Sequence, residues 1–443
     1  MDDNGHGTHV AGIVGANGSI TGVAPGVNFV SAKACGPTPA CGTQAIIDSV
    51  NWCVGNASRY NISVISMSLG GGSYTGYCDS EDTDMTNAID LAIARNITVV
   101  VATGNAGLTT QISWPACIRN STSVGSTTKA DALSSFSNRN NLTIVLAPGS
   151  SITSTSKNGG TEINSGTSMA TPHVAGAIAL LKQFKKLENN KNLTTNQIKD
   201  VLNRTGKVIA DSGSGLNLPR LNVYAALLAI EETKPNLTLA KPQNITYTTN
   251  TSLPINFSAS DNLNLSDCIY RIDSAANVSL QSCANSTFNT TSGSHTLTLY
   301  ALDSAGNMNS SNITFNIDLA PTINQISPAN NTNSSQNLIN FGCNVTDTDG
   351  IYNISLRIFN STALVHTNST NISGLQNSTN FSFVLPYDAV FKWKCIAADI
   401  NNNSASTGNF TIQLDTVAPN VTLIGPENAS TNTTNNIDFY YNV

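Results

Sequence analysis

Four short runs in the first half of the chain are apolar almost from end to end: Val27 to Ala32, Ile62 to Leu69, Ile97 to Ala102 and Leu142 to Ala147. A strand with one wet face alternates apolar and polar residues, so a strand without that alternation is covered on both faces. Between the runs lie segments whose apolar residues recur three and four apart. Ile46, Ile47, Val50, Cys53 and Val54 form one set, and Met85, Ile89, Ala92 and Ile93 another, which is the period of a helix. The alternation predicts a mostly parallel sheet between helix layers. Ligands in such folds bind beyond the carboxyl ends of the strands. Ser68-Leu69-Gly70-Gly71-Gly72 and Ala102-Thr103-Gly104-Asn105 directly follow two of the runs, so a site is expected there.

After Glu231-Glu232-Thr233-Lys234-Pro235 the helical period vanishes. A repeat of about ninety residues replaces it, the size of a small β-sandwich domain. Each unit opens with proline and an alternating strand, at Pro235, Pro321 and Pro419, and reaches a second strand of one type at Ile255, Ile339 and Ile437. The first two close with matching hairpins, Leu299 to Asn307 and Cys395 to Asn403. The expected organisation is an α/β domain over residues 1–232, all-β immunoglobulin-like sandwiches over 233–318 and 319–416, and the start of a third repeat over 417–443.

Charged residues make up only 11% of the 443 and the formal net charge is -6, so there is no basic stripe for nucleic acid or anionic lipid. Polarity comes from Asn, Ser and Thr instead. Triplets such as Asn244-Ile245-Thr246 and Asn277-Val278-Ser279 read as glycosylation acceptors of an exported protein. The nine cysteines agree with an oxidising compartment. Cys268 and Cys283 flank a turn at Ser274 to Asn277, while Cys343 and Cys395 lie on segments that read as facing central strands. Cys35 with Cys41 and Cys78 with Cys117 are further candidate bridges, leaving Cys53 as a buried thiol on a helix, although spacing alone does not fix connectivity. No long apolar span is visible. The expected location is extracellular or on the cell surface, with any surface attachment supplied by a C-terminal region outside this sequence.

Three segments carry chemistry. Gly5-His6-Gly7-Thr8-His9-Val10-Ala11-Gly12 places a histidine at the opening of a helix of small residues. Ala102-Thr103-Gly104-Asn105-Ala106-Gly107 ends a buried strand. Ser165-Gly166-Thr167-Ser168-Met169-Ala170-Thr171-Pro172 places a serine at the start of a long apolar helix. A serine hydroxyl is a poor nucleophile until a base takes its proton, and imidazole has the pKa to do so near neutrality. Free amides at a helix start, together with an asparagine carboxamide, suit the oxyanion formed on attack.

Together, and in this order, these segments resemble the subtilisin-like (subtilase) serine endopeptidases over residues 1 to about 230. Gly22-Val23-Ala24-Pro25, Ser66-Met67-Ser68-Leu69-Gly70, Ser135-Phe136-Ser137-Asn138, Ala147-Pro148-Gly149 and Leu221 to Ala226 extend the likeness. The resemblance implies a polypeptide substrate, His6 as general base, Ser168 as nucleophile and Asn105 as oxyanion-hole side chain. It makes Ser68, Leu69 and Gly70, with Ala102, Thr103 and Gly104, the walls that hold the substrate. It also implies an aspartate on a strand before the histidine. None precedes His6 except Asp2 and Asp3 in its own loop, so the triad aspartate is expected upstream of this sequence, with low activity without it and an open edge in the core sheet. His9 and His173 read as structural. No cofactor is expected: family members often carry calcium, yet Ile13 to Pro25 offers no carboxylate for it. The competing reading is a surface adhesion or binding protein whose protease-like domain is an inert scaffold.

Overall fold

The computed structural model describes every residue except 1, 39, 428, 429, 432, 434 and 435. Contacts divide it into two units, Met1–Thr233 with Ser304–Asn307, and Lys234–Asp303 with Met308–Val443.

The first unit is built on six strands: β1 (Val64–Met67), β2 (Thr98–Ala102), β3 (Thr122–Thr127), β4 (Val145–Pro148), β5 (Lys207–Asp211) and β6 (Leu216–Arg220). Their order across the sheet is β1-β2-β3-β4-β6-β5. The first four neighbours run parallel, Arg220 joins β6 parallel to β4, and β5 returns antiparallel. The longer helices of this unit are α1 (His6–Gly15), α2 (Thr43–Gly55), α3 (Thr83–Ala94), α4 (Thr167–Asn189), α5 (Thr195–Thr205) and α6 (Val223–Ile230).

Strand β2 explains the unbroken apolar runs. Val99 and Val101 point into one core with Ile46, Ile47 and Val50 of α2 and Met85 and Ile89 of α3. Val100, on the opposite face, joins Val14 of α1, Val174 and Ile178 of α4, Ile198 of α5 and Ala226 of α6. Every residue of β2 is buried, as a strand between two helix layers must be. Local chemistry fixes several helix starts: Asp82 accepts the Met85 amide, Asn222 the Ala225 amide, and Thr194 with Gln197 forms a reciprocal capping box.

One expected strand does not form. Val27 to Ala32 has no ladder, and Phe29 and Val30 are 53% and 40% exposed. The run has a strand's composition but makes no ladder: β1 is the end strand of the sheet, and no described strand pairs with Val27 to Ala32. Apolar residues become a strand only where a neighbour takes up their amides and carbonyls.

In the second unit, two successive pairs of sheets each enclose a core. The first pair has three strands (Asn236–Lys241, Leu253–Ser260, Ser286–Phe288) and five (Thr246–Tyr247, Met308–Ile317, Gly293–Asp303, Leu265–Ile272, Val278–Ser279). Leu253, Ile255 and Phe288 of one sheet share a core with Leu297, Leu299 and Phe315 of the other. The second pair repeats the plan: Phe341 and Phe381 face Leu356, Phe391 and Trp393, with Phe341 and Trp393 ring centroids 5.0 Å apart. Both closing hairpins form, pairing Leu302 with Met308 and Ala398 with Ser404. Further along the chain, Thr422–Gly425 pairs with Tyr440–Asn442. Disulfides join Cys35–Cys41, Cys78–Cys117, Cys268–Cys283 and Cys343–Cys395, the last bridging the two sheets of its sandwich. Cys53 is buried and unbridged, and burial pushes its thiol pKa up. Among the described residues, no helix is long and apolar enough to cross a membrane.

Candidate active site

Strands β1 and β2 are adjacent and parallel, so the segments that follow them, Ser68-Leu69-Gly70 and Gly104-Asn105, leave the sheet side by side. The start of α4 meets them there. Ser68 Oγ donates to Ser168 O at 2.7 Å, and Ser168 Oγ donates to Ser68 O at 3.3 Å. Asn105 Oδ1 accepts from Thr167 N at 2.8 Å and from Thr167 Oγ1 at 2.9 Å. A backbone amide can only donate, so these bonds fix which end of the carboxamide is oxygen. The Asn105 amide nitrogen makes no hydrogen bond among the described residues and remains an available donor.

Glycine is required on both sides of this junction. Gly166 caps α4 with φ 155°, and an added Cβ would lie 3.4 Å from Asn105 Nδ2 and 3.6 Å from Ser168 N. Gly104 has φ +100°, and a Cβ there would stand 2.4 Å from Ser113 Oγ and 2.5 Å from Asn138 Nδ2. Asn138 anchors the loop beyond, accepting from the amides of Ala106 at 2.9 Å and Leu108 at 3.1 Å while its own amide donates to Gly104 O. Ala102 and Thr103 are buried, and Thr103 Oγ1 donates to Asn138 O at 2.8 Å; the segment reaches the surface at Gly104 and Asn105. Sequence reading missed Thr167 and Asn138 as positioning residues. The only signal for either was its place in a quoted motif.

His6 opens α1. Val10 and Ile13 of that helix share a cluster with Met169, and Val14 joins Val174 and Ile178, so α1 and α4 run alongside each other with the His6 and Ser168 ends together. Thr8 O and His9 O accept from Thr155 Oγ1 at 2.8 Å and Ser154 Oγ at 2.7 Å, tying the first turn of α1 to the Ile152–Thr155 and Thr161–Asn164 hairpin that leads into Gly166. Among the described residues, no hydrogen bond joins His6 to Ser168 or to a carboxylate. The surrounding protein, and then the charge of His9, lower the His6 pKa, with Asp2 acting the other way.

The two nearby carboxylates are engaged elsewhere. Asp2 accepts from the amides of Asn4, Gly5 and Thr8 and from the Thr8 hydroxyl. Burial would raise its pKa, but these four donors hold it well below the carboxylate range. Asp3 pairs with Lys33. His9 is fully buried with Nε2 3.2 Å from Glu162 O, and His173 Nδ1 lies 2.8 Å from Met169 O, so both serve packing.

The family model described as "Subtilase family" matches residues 1–227, more than half of the chain. The chain belongs to the subtilase family. The subtilase domain is 39% identical over 216 residues to the alkaline serine exoprotease A of Vibrio alginolyticus, a match covering 48% of this chain and 37% of that protein. It is 37% identical over 205 residues to the major intracellular serine protease of Bacillus subtilis, covering 44% of this chain and 61% of the relative. It is also 37% identical over 235 residues to the subtilisin of Bacillus pumilus, covering 51% of this chain and 78% of the relative. The first two matches thus span between a third and two thirds of the relatives' length. Among solved structures, a cold adapted subtilisin-like serine proteinase is similar at 38% identity and a TM-score of 0.43, covering 50% of this chain and 75% of the other.

Proposed function

We propose that this chain is an exported serine endopeptidase that cleaves peptide bonds through an acyl-enzyme on Ser168. The arrangement of Asn105 carries the reading. Its oxygen is tied to the residue before the nucleophile, which leaves its amide nitrogen as a donor beside Ser168. In this reading His6 takes the Ser168 proton as the hydroxyl attacks the substrate carbonyl. The new oxyanion is held by Asn105 Nδ2 and the amide at the start of α4, and His6 returns the proton to the leaving amine. A neutral imidazole is needed to begin, and the lowered pKa of His6 favours that form. Ser68 to Gly70 and Ala102 to Gly104 form the substrate walls through the backbone groups at the two strand ends. The sandwich repeats, read as immunoglobulin-like domains over 233–318 and 319–416, act as stalk or docking modules outside the cell. A triad also needs a carboxylate to orient the imidazole, so this chain alone is expected to turn over slowly.

The test is labelling of the chain with a fluorophosphonate followed by peptide mapping. The adduct should sit on Ser168, disappear in Ser168→Ala and form more slowly in His6→Ala. A folded chain that acquires no adduct on Ser168 over prolonged incubation would refute the proposal.

A further inference from the structure

A strand at the edge of a sheet leaves a row of amides and carbonyls unpaired, and another chain can pair with them. Proteins guard such edges by keeping them very short, by placing lysine or proline on them, or by bulging them. Most edges of the two sandwiches are guarded in these ways. Thr246–Tyr247, Val278–Ser279, Ser286–Phe288 and Thr332–Ser334 are two or three residues long. Asn236–Lys241 lies between Pro235 and Pro242, and Thr322–Ser327 between Pro321 and Pro328.

Two edges are not. Leu364–Asn371 has eight residues and pairs, among the described residues, only with Ile351–Phe359. Gln376–Val384 has nine and pairs only with Leu338–Thr346, without a break in register. The two end different sheets, and the rings of His366 and Phe383, stacked with centroids 3.9 Å apart, place both edges on one side of the sandwich. Residues 360 to 384 contain no Lys, Arg, Asp, Glu or Pro. Leu364, Leu375 and Val384 are half exposed. Long, uncharged edges of this kind are templates for association.

In place of charge or proline the segment carries Asn-x-Ser/Thr triplets: Asn368-Ser369-Thr370, Asn371-Ile372-Ser373, Asn377-Ser378-Thr379 and Asn380-Phe381-Ser382. Asn368 stands opposite the buried Leu356, so its side chain is on the core-facing side of its strand, yet it is exposed at the open side of the sandwich. Asn371 stands opposite Asn353 on the other face, and Asn380 opposite Gly342 on the outer face of its own sheet. Both are exposed, and among the described residues no hydrogen bond engages the side-chain nitrogen of Asn368, Asn371 or Asn380. Asn377 differs: it is half-buried and its Nδ2 donates to Ser373 O at 3.4 Å.

We propose that Asn368, Asn371 and Asn380 carry N-linked glycans that keep these two edges from pairing with a second copy of the chain. Each carboxamide nitrogen attacks the anomeric carbon of a lipid-phosphate-linked saccharide during export. A C–N bond forms, the C–O bond from sugar to phosphate breaks, the nitrogen loses one proton, and the lipid phosphate leaves with the bonding electrons, so no oxidant or reductant is needed. An incoming strand must approach to about 4.8 Å, and a saccharide on either face of the edge stands in its way. On Asn368 the sugar does what an inward-pointing charge does on other edges. The proposal rests on the export argued above and not on the chemistry of Ser168.

The test starts with the full chain purified from its own source, its peptides across residues 360 to 384 mapped by mass spectrometry with fragmentation that keeps sugars on their asparagines. Saccharide should be found on Asn368, Asn371 and Asn380. Sedimentation velocity should show that chain as a monomer, and the same chain made in a cytosol without glycosylation as larger species. Thr370→Ala, Ser373→Ala and Ser382→Ala together remove the three acceptor triplets and should shift the exported chain in the same direction; Asn368→Gln, Asn371→Gln and Asn380→Gln serve if that variant misfolds. Thr367→Lys with Ser378→Lys, both at exposed positions, should return the unglycosylated chain to monomer by guarding the same edges. Unmodified asparagines in the natural chain, or an unglycosylated chain that stays monomeric, would overturn the proposal. So would lysine variants that associate as before, since the contact would then lie on another surface. A glycosylated chain that acquires no adduct on Ser168 would count against the peptidase reading alone.

Discussion

Asn105 is the residue whose two ends are assigned different tasks, and two substitutions separate them. Asn105→Ala removes both: the acceptor for Thr167 N at 2.8 Å and Thr167 Oγ1 at 2.9 Å, and the amide donor. Asn105→Asp keeps the acceptor, deletes the donor and adds a negative charge where an oxyanion must form. Each lost neutral hydrogen bond is worth about 0.5–1.5 kcal/mol, and Asn105 is exposed, so water replaces much of what Ala loses. The stability change of Asn105→Ala should therefore stay near 1 kcal/mol. Loss of an oxyanion donor, by contrast, lowers turnover about a hundred- to a thousandfold, a range established on subtilisin, itself a member of this family. The assay is the second-order rate of fluorophosphonate labelling of Ser168, whose phosphoryl oxygen needs the same donors, alongside thermal melts. The expected order is parent far above Asn105→Ala, with Asn105→Asp equal to or below Ala. If Asn105→Asp labels like the parent, Asn105 acts only as a brace for α4. If Asn105→Ala, still folded, labels within a few-fold of the parent, the oxyanion assignment is wrong.

Three further outcomes follow from neighbouring geometry. The acid limb of the labelling rate should lie below pH 6.5, because the protein around His6 and the charge of His9 lower its pKa and the neutral ring is the active form; a pH–rate profile reads this directly. Gly104→Ala should cost at least about 1–3 kcal/mol in thermal melts, since φ +100° is strained for alanine and the methyl would meet Ser113 Oγ at 2.4 Å. Asp211→Asn should destabilise by about 3–5 kcal/mol in denaturant titrations, because it leaves Arg139, 9% exposed at the side chain, without the carboxylate 2.8 Å from its Nε. Arg139, Ser214 and Gly213 hold the Asp211 pKa well below 3.8 against the opposing effect of burial. The stability it confers is therefore present above about pH 4 and lost as the pH falls towards the folded-state value.

What could be read from the sequence were features that a segment carries by itself. The two-sided burial of Thr98 to Ala102 was legible because every residue of β2 meets a helix layer. The period of Ile46 to Val54 was legible for the same reason, as one face of α2 packs on that strand. The four disulfides matched their expected pairs; Cys35–Cys41 and Cys268–Cys283 are close in sequence, and Cys343–Cys395 joins the two facing strands expected to carry it. What stayed hidden depends on a second segment. Val27 to Ala32 has the same composition as the true strands and yet pairs with no described strand. Thr167 and Asn138 look like ordinary loop polars until Asn105 and the Ala106 to Leu108 amides arrive beside them. That Leu364–Asn371 and Gln376–Val384 each end a sheet has no signature in composition at all.

The same distinction bears on why the candidate site sits where it does. Two parallel strands in register, Val64 with Thr98 through Met67 with Val101, must release their chains at the same edge of the sheet. Helix α4 crosses β2 and β3 through Val174 and Ile178, and its start falls over that edge because Gly166 permits the turn from the preceding hairpin. Once these constraints hold, Ser68, Asn105 and Ser168 have little freedom to be anywhere but together, and the 2.7 Å and 2.8 Å bonds between their segments record it. His6 is held less directly, through the packing of α1 on α4 and the Ser154 and Thr155 bonds to its first turn. Its ring is thus the member of the set whose orientation the fold constrains least. A carboxylate supplied to its far nitrogen should raise the labelling rate by a larger factor than any strengthening of the Asn105 brace.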